Sequence, residues 1–239
     1  MFSAEAMRLA AIEVVTPFSA IEAGTGFPTL AGRHAYDSRA ASVGDLDATL
    51  AYTPVLSFYT ASARAVARAD AADIDDQECE AVLEIVAELA VAAKDEDGEF
   101  ADALAGDDPE ARLVLAALTA QVVFLLCQSQ SGHLFRRFVL GIRRIEEEPF
   151  AVPQLGLRWQ RTTIRLTCGV PGDIYDIADG GLPEPVRTLA ALLPDGSYAK
   201  AKLQALGAHF AADPRPALDG IKIHRGELPV ASIGNVSDD

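Results

Sequence analysis

The sequence predicts an α+β protein, because clear helix patterns and clear strand patterns occupy separate stretches of its 239 residues. Residues 4–15 repeat apolar positions at helical spacing, and residues 110–128 follow Asp108 and Pro109, which are typical of a helix start. Residues 157–170 alternate in the manner of a strand. Half of the residues are hydrophobic, so the chain can bury a sizeable core as one large or two small domains.

The first third of the chain predicts one helix and two strands. Pro17 ends the helical pattern of residues 4–15. Residues 21–32 are rich in Gly, Pro and Thr and predict a loop, which leads into a short strand at 34–37. Residues 55–62 are β-branched, aromatic and alternating, and predict a strand that can extend toward Arg68.

Residues 79–92 fit two patterns equally well. At a period of two, Leu83, Ile85 and Leu89 share one face, and at a period of 3.6 Glu84 and Glu88 line one side of a helix. Because Ala and Glu favour helices, composition alone favours a helix here.

The helix at 110–128 is apolar on nearly every side, so we expect it to be deeply packed. Its apolar run, 113–127, is too short to span a bilayer and predicts a buried helix. Residues 133–140 predict a further turn or two of helix, and 141–148 predict a strand.

The remainder of the chain has a different texture after the strand at 157–170. A Val-Pro-Gly turn closes that strand and predicts a domain boundary there. Residues 183–193 and 197–210 predict two short helices, and the Pro- and Gly-rich tail has weak strand character at 221–223.

The charge of the chain is concentrated in one stretch. Residues 70–110 hold 16 of the 35 acidic residues against one lysine, Lys94, whereas the other acidic and basic residues balance at 19 each. The net charge of −15 is therefore local, which is typical of a surface aimed at one neighbour or one that repels a polyanion.

Composition also argues against nucleic-acid binders, disulfide-rich or zinc proteins and secreted proteins. The acidic balance is not that of an ordinary nucleic-acid binder, which needs clustered Lys and Arg. Three scattered cysteines, Cys79, Cys127 and Cys168, indicate neither a disulfide framework nor a zinc site and favour a reduced cytosolic protein. The first residues lack the apolar region of a secretory signal, so we expect none.

Catalytic and metal motifs are weak throughout. Ser131 and His133 lie close in sequence but at a helix end, where capping is the ordinary role. The turn at 95–98 resembles half of a calcium loop but lacks the Glu required at its twelfth position, where Leu104 falls. The four histidines are widely separated, and no phosphate-binding glycine loop is complete.

Arginines form a second charge feature, within residues 136–165. They are Arg136, Arg137, Arg143, Arg144, Arg158, Arg161 and Arg165. They can form a solvated face, or they can pair with the acidic segment within the chain or across a subunit boundary. Trp159, on the last strand, is either a core residue or an interface anchor.

The order of these elements resembles a family of virion proteins. A short helix beginning MRLAAIE, a Gly-rich loop, a small strand and TPVLSFY are followed by LEIVAELAV, by an apolar helix after Asp-Pro-Glu and by RWQRTTIRLTCGVP. Over about residues 4–171, this order is similar to the tail terminator proteins of long-tailed and Mu-like bacteriophages and gene transfer agents. In that family, the equivalent of residues 83–91 is a strand paired with the strand at 55–62.

The resemblance implies an α+β fold with a mixed, mostly antiparallel sheet, covered on one side by the first helix and the helix that begins at Pro109. It implies a homohexameric ring that caps the tail tube, ends tube polymerisation and meets the head-completion protein. DNA passes through the lumen without specific binding, and neither catalysis, a cofactor, a metal nor a membrane is implied. The protein would belong to the virion, after assembly in the cytoplasm of the bacterial host.

The resemblance also gives the two charge features specific roles. The candidate subunit-interface residues are Glu84, Glu88, Trp159, Arg161 and Arg165. The candidates for an acidic lumen or a partner face are Asp70, Asp73, Asp75, Asp76, Asp95 and Asp97.

Residues 172–239 have no counterpart in the family, so the sequence predicts a terminator-like domain at 1–171 and a C-terminal extension at 172–239. Two rival functions remain open at this point. One is a small-ligand-binding or regulatory α+β domain with the apolar helix as the floor of a pocket and Trp159 as a wall. The other is a hydrolase that uses Ser131 and His133.

Overall fold

A six-stranded sheet with helices on one face forms the body of the protein. The computed structural model describes residues 1–69, 77–96, 98–106, 108–152, 157–175 and 181–211. The helices are α1 (Phe2–Val15), α2 (Phe18–Ala23), α3 (Pro109–Cys127), α4 (His133–Arg137), α5 (Val186–Leu192) and α6 (Tyr198–Ala211). The strands are β1 (Ala35–Asp37), β2 (Thr53–Ala67), β3 (Gln77–Asp95), β4 (Gly98–Ala103), β5 (Gly141–Val152) and β6 (Leu157–Val170).

The sheet is mixed and mostly antiparallel, which confirms the predicted fold class. Its order is β1-β2-β3-β6-β5, and β4 pairs with the end of β3. Only β1 and β2 run parallel among the described pairs. The strands β2 and β3 are 15 and 19 residues long, and β2 is exposed from Ala61 onward.

The central strand, β3, is the segment whose pattern was ambiguous. The helix favoured by composition is wrong, and the strand implied by the resemblance is confirmed. The physical reason lies in tertiary pairing: β2 and β6 occupy both of its edges, and its alternate residues are buried from Ala81 to Leu89. Burial on one face and hydrogen bonds on both edges outweigh the helix propensity of Ala and Glu.

The main core lies between the sheet and two helices, α1 and α3, as the resemblance implies. Fully buried side chains from all these layers meet there, among them Met7, Phe58, Ile85, Leu118 and Ile164. The even-numbered residues of β6 from 160 to 168 are buried, so the strand predicted there is confirmed and its inward face is defined.

The C-terminal helices pack on the opposite side of α1. A second apolar cluster joins Ala6, Leu9 and Ala10 of α1 to residues of α5, α6 and the turns beside them. Asp173 adds a polar link, since its carboxylate oxygens accept hydrogen bonds from the backbone N–H groups of Phe2 and Ser3, both at 2.7 Å. The described part of the predicted extension thus shares a core with the first helix.

The expectation that α3 is deeply packed is wrong for one of its sides. One side contacts the sheet through residues such as Leu115 and Leu118, whereas Leu113 and Phe124 are 72% and 53% exposed. The other side is exposed because no described element lies over it. By length and composition α3 could cross a membrane, the only described helix of which this is true.

Most of the other predicted elements are confirmed with small shifts in their bounds. Asp108 accepts a hydrogen bond from the Glu110 backbone N–H at 3.0 Å and caps α3 as expected. The helices α5 and α6 and the strand β5 lie where the sequence predicts them. The sequence did not predict β4, or the short α2, part of which falls in the expected loop. The expected strand at 221–223 lies outside the described residues.

Replacing Asp173 by alanine is expected to lower the free energy of unfolding by about 1–2 kcal/mol, because two N–H groups at the start of α1 lose their acceptor. Urea denaturation measures the loss. Asp195→Ala is the matched control, since the Asp195 side chain is 97% exposed and contacts only Lys200 in the described structure. Equal losses in the two variants would contradict a capping role for Asp173.

Candidate functional site

The face of the sheet opposite the helices carries ordered rows of charge, and we call it the charged face. It is formed by the side chains of β3 and β6 that alternate with the buried ones. Glu80, Glu84 and Glu88 lie on this face of β3, and Arg161 and Arg165 lie on this face of β6.

The strand register sets these charges directly opposite one another. Glu84 is paired in register with Arg165, and Glu88 with Arg161. The Arg165 Nε lies 2.8 Å from Glu84 Oε2, and the Arg161 Nε lies 2.8 Å from Glu88 Oε2. Cross-strand pairs of opposite charge stabilise a sheet, whereas like charges at these positions would destabilise it.

Each of these arginines also reaches a second carboxylate. Arg165 Nη1 lies 2.8 Å from Glu148 of β5, and Arg161 Nη2 lies 3.4 Å from Asp102 of β4. The hydrogen bonds that Arg165 donates to Glu84 and to Glu148 raise the pKa of Arg165, so this guanidinium stays charged. Two rows of alternating charge therefore cross the sheet from β3 to its neighbours.

A third group of charges lies near the end of β2 and the start of β3. Glu80 lies between two arginines, with Arg64 of β2 at 2.8 Å and Arg143 of β5 at 3.0 Å. Arg143 also donates to Glu78, and that hydrogen bond raises its pKa. The sequence analysis did not identify Glu78 and Glu80 as partners of arginines. A strand pattern over residues 78–88 would have placed these two glutamates on the same face as Glu84 and Glu88.

The sequence left open whether the arginines pair within the chain or with a neighbouring subunit. In the structure Arg143, Arg161 and Arg165 pair within the chain, as does Arg144, whose Nε lies 3.1 Å from Glu146. Arg136 has a different role, because it donates to the Leu126 and Ser129 carbonyls at the end of α3, at 2.9 and 2.7 Å. The Arg158 side chain lies outside the description.

Trp159 lies at the edge of the charged face, half-buried. Its ring meets Phe150 of β5 edge to face, with 5.6 Å between the centroids. The Arg161 guanidinium lies 5.7 Å from the centroid of the same Phe150 ring. Trp159 thus belongs to a partly exposed aromatic and cationic group, away from the main core between sheet and helices.

Of the six aspartates expected to line a lumen or a partner face, the described residues include one. Asp95 is exposed at the turn between β3 and β4, where its carboxylate accepts a hydrogen bond from the Gly98 N–H at 3.1 Å. Asp70, Asp73, Asp75, Asp76 and Asp97 lie outside the described residues. Glu96 and Glu99 are also exposed here, so the hairpin of β3 and β4 ends in a cluster of negative charge.

The groups considered for catalysis or metal binding are not brought together. Ser131 Oγ contacts Ser129 Oγ at 2.8 Å, and Ser129 Oγ donates to the Leu125 carbonyl at 2.7 Å, which is a capping arrangement at the end of α3. Within the described ranges, no three His, Cys, Asp or Glu side chains are placed to hold a metal ion.

Comparison of the chain with family models, with curated proteins and with solved structures finds no match.

Replacing Arg161 by methionine is expected to lower the free energy of unfolding by about 2 kcal/mol. The Glu88 side chain is only 7% exposed, and its carboxylate would lose its cationic partner. Urea denaturation at neutral pH measures the change.

The control is Arg144→Met, whose side chain is 66% exposed and whose pair with Glu146 is open to solvent, so little change is expected. Losses of the same size in both variants would show that burial of Glu88 does not set the cost.

Proposed function

We propose that this protein is a structural virion protein that forms a homohexameric ring, caps a phage tail tube and joins it to the head-completion protein. The observation that carries the proposal is the central strand β3. Its composition favours a helix, yet it pairs with β2 as the equivalent strand does in the tail terminator proteins that the sequence resembles. The position of α1 and α3 on one face of a mixed sheet also supports the proposal.

A ring subunit needs a surface that contacts its neighbours, and the charged face suits this role. Its charges of both signs are held in fixed positions by cross-strand pairing, and such patterns fix register between partners. The ion pairs within the chain leave charge exposed, since the side chains of Arg165 and Glu148 are 42% and 69% exposed. We propose that Glu84, Glu88, Arg161, Arg165 and Trp159 contribute to contacts between subunits.

The acidic turn between β3 and β4, at Asp95, supports the proposal that DNA passes through the ring. Exposed carboxylates repel the phosphates of DNA, so a ring lumen lined with them would let a duplex pass without binding it. A cap ends polymerisation by its shape, since tube growth stops when a ring offers no surface for the next one. Its partners would be the tail tube protein on one side and the head-completion protein on the other.

A small-ligand-binding or regulatory domain is the second candidate function. An apolar cavity beside α1 is the observation that favours it. The two functions differ in what they predict for assembly, since a ligand-binding domain has no need of a ring.

The purified chain, alone or mixed with the tail tube protein of the same virus, is expected to form rings. Light scattering should give a mass six times that of the 25.3 kDa chain, and negative-stain images should show particles with a central hole. A stable monomer or dimer in both conditions would overturn the proposed function.

A charge swap tests the role of the charged face. The triple variant Glu84→Arg, Arg165→Glu and Glu148→Arg keeps each pair within the chain but reverses the charges that a neighbour meets. We expect a folded protein whose ring population falls at least about tenfold at low salt.

Arg112→Glu is the control, because it reverses an exposed charge on α3, on the other side of the sheet. Circular dichroism checks folding and light scattering measures assembly. Normal assembly of the folded triple variant would exclude these charges from the subunit contact.

A further inference from the structure

A cavity lies on the helical side of the protein, between α1, α2, β1 and the start of α6. Its volume is about 270 Å³. Leu9, Ile12, Phe18 and Ile21 provide most of its apolar wall. An engineered apolar cavity of about 150 Å³ binds benzene, so this space is large enough for a small ring or a short alkyl chain.

Two polar side chains at the C-terminal end of α1, Glu13 and the C-cap residue Thr16, border this apolar space. Thr16 is 4% exposed, and its buried hydroxyl oxygen has no hydrogen-bond partner in the described structure. A buried hydroxyl without a partner costs free energy unless something occupies its hydrogen-bonding position.

Glu13 lies in the last turn of α1, and its carboxylate uses only part of its capacity to accept hydrogen bonds. Its Oε1 accepts a hydrogen bond from the Phe18 N–H at 3.0 Å, at the start of α2. Its Oε2 has no hydrogen bond or ion pair with any described residue. Burial raises the pKa of this carboxyl group, and the Phe18 hydrogen bond opposes that shift.

The start of α6 forms the remaining wall and is fixed in place. The Tyr198 hydroxyl donates to Asp37 Oδ2 at 2.6 Å, which links α6 to the end of β1. Gly196 has a positive φ of 89° and lies against the Phe18 ring, where an added Cβ would be 3.0 Å from the nearest ring carbon. The cavity therefore lies between α1 and α2, from the start of the chain, and the start of α6, which the Tyr198–Asp37 hydrogen bond fixes in place.

We propose that this cavity binds a small apolar amine, whose hydrocarbon part fills the space and whose ammonium group donates to Glu13 Oε2 and Thr16 Oγ1. The ionised Glu13 carboxylate can only accept and repels an anion, so it favours a cationic donor, and the Thr16 hydroxyl oxygen can accept a second hydrogen bond from it. A hydrogen bond between an ammonium group and a carboxylate is charge-assisted and stronger than a neutral one. The site is separate from the charged face and does not depend on ring formation.

Three six-carbon probes test the chemistry of the site on the full chain. Isothermal titration calorimetry and thermal denaturation are carried out at pH 7.5 with n-hexylamine, n-hexanol and hexanoate. We expect hexylamine to bind about tenfold more tightly than hexanol and to raise the unfolding temperature with concentration, whereas hexanoate does neither. Equal affinities for hexylamine and hexanoate, or no hexylamine binding up to about 10 mM, would overturn the proposal.

Two variants test the two polar groups. Glu13→Gln keeps the shape of the cavity and should weaken hexylamine binding about tenfold with little effect on hexanol. Thr16→Val removes the unpartnered hydroxyl, so it should raise the unfolding temperature of the free protein and weaken hexylamine binding severalfold.

Glu22→Gln is the matched control, an exposed glutamate of α2 outside the cavity, and it should change neither value. Unchanged hexylamine affinity in both Glu13→Gln and Thr16→Val would refute the site. Because Thr16→Val is expected to be more stable than the natural chain, the test holds even if Glu13→Gln folds poorly. Light scattering on the same samples keeps failure of this site distinguishable from failure of ring assembly.

Discussion

The burial of α1 on nearly every side is the constraint on which the rest of the structure depends. Ten of its 14 residues are buried, and they contact the sheet and α3 on one side and α5 and α6 on the other. Ala4, Ala6, Ala10 and Ala11 have no exposed surface, so larger side chains there would push the two layers apart. The helix therefore sets the spacing of the sheet, of the C-terminal helices and of the cavity beside Glu13.

The sheet separates two kinds of surface because its side chains alternate. The inward residues of β3 and β6 form the apolar core, and the outward residues form paired charges. Because of this alternation, the acidic stretch at 70–110 is not a single negative surface. Its glutamates on β3 are largely balanced by arginines of β5, β6 and β2, so much of the excess negative charge lies outside the charged face, as at the β3–β4 turn.

Several elements could be predicted from local pattern alone. The helix cap at Asp108 and the alternation of 157–170 each have one physical interpretation, and both are confirmed. The strand β3 could not be predicted in this way, because its pattern fits two periods and only pairing with β2 and β6 decides between them. The exposure of Leu113 and Phe124 could not be predicted either, because the sequence of an apolar helix does not indicate how many of its sides other elements will cover.

The same limit applies to the functional surfaces. Opposite charges on β3 and β6 were visible in the sequence, but their partners depend on a register that only the paired strands define. The cavity beside Thr16 was invisible, because α1, α2, β1 and α6 come together there from distant parts of the chain. Local chemistry predicts which residues can interact, and topology decides which of them meet.

The contact between the first helix and the last described ones also bears on how the protein folds as it is synthesised. The hydrogen bond between Phe2 and Asp173 joins residues 171 positions apart, and the cluster of α1 with α5 and α6 spans a similar distance. Because α1 precedes α5 and α6 in the chain, it can complete its burial only after they have been synthesised. Because long-range contacts slow folding, α1 would expose apolar surface to chaperones throughout synthesis.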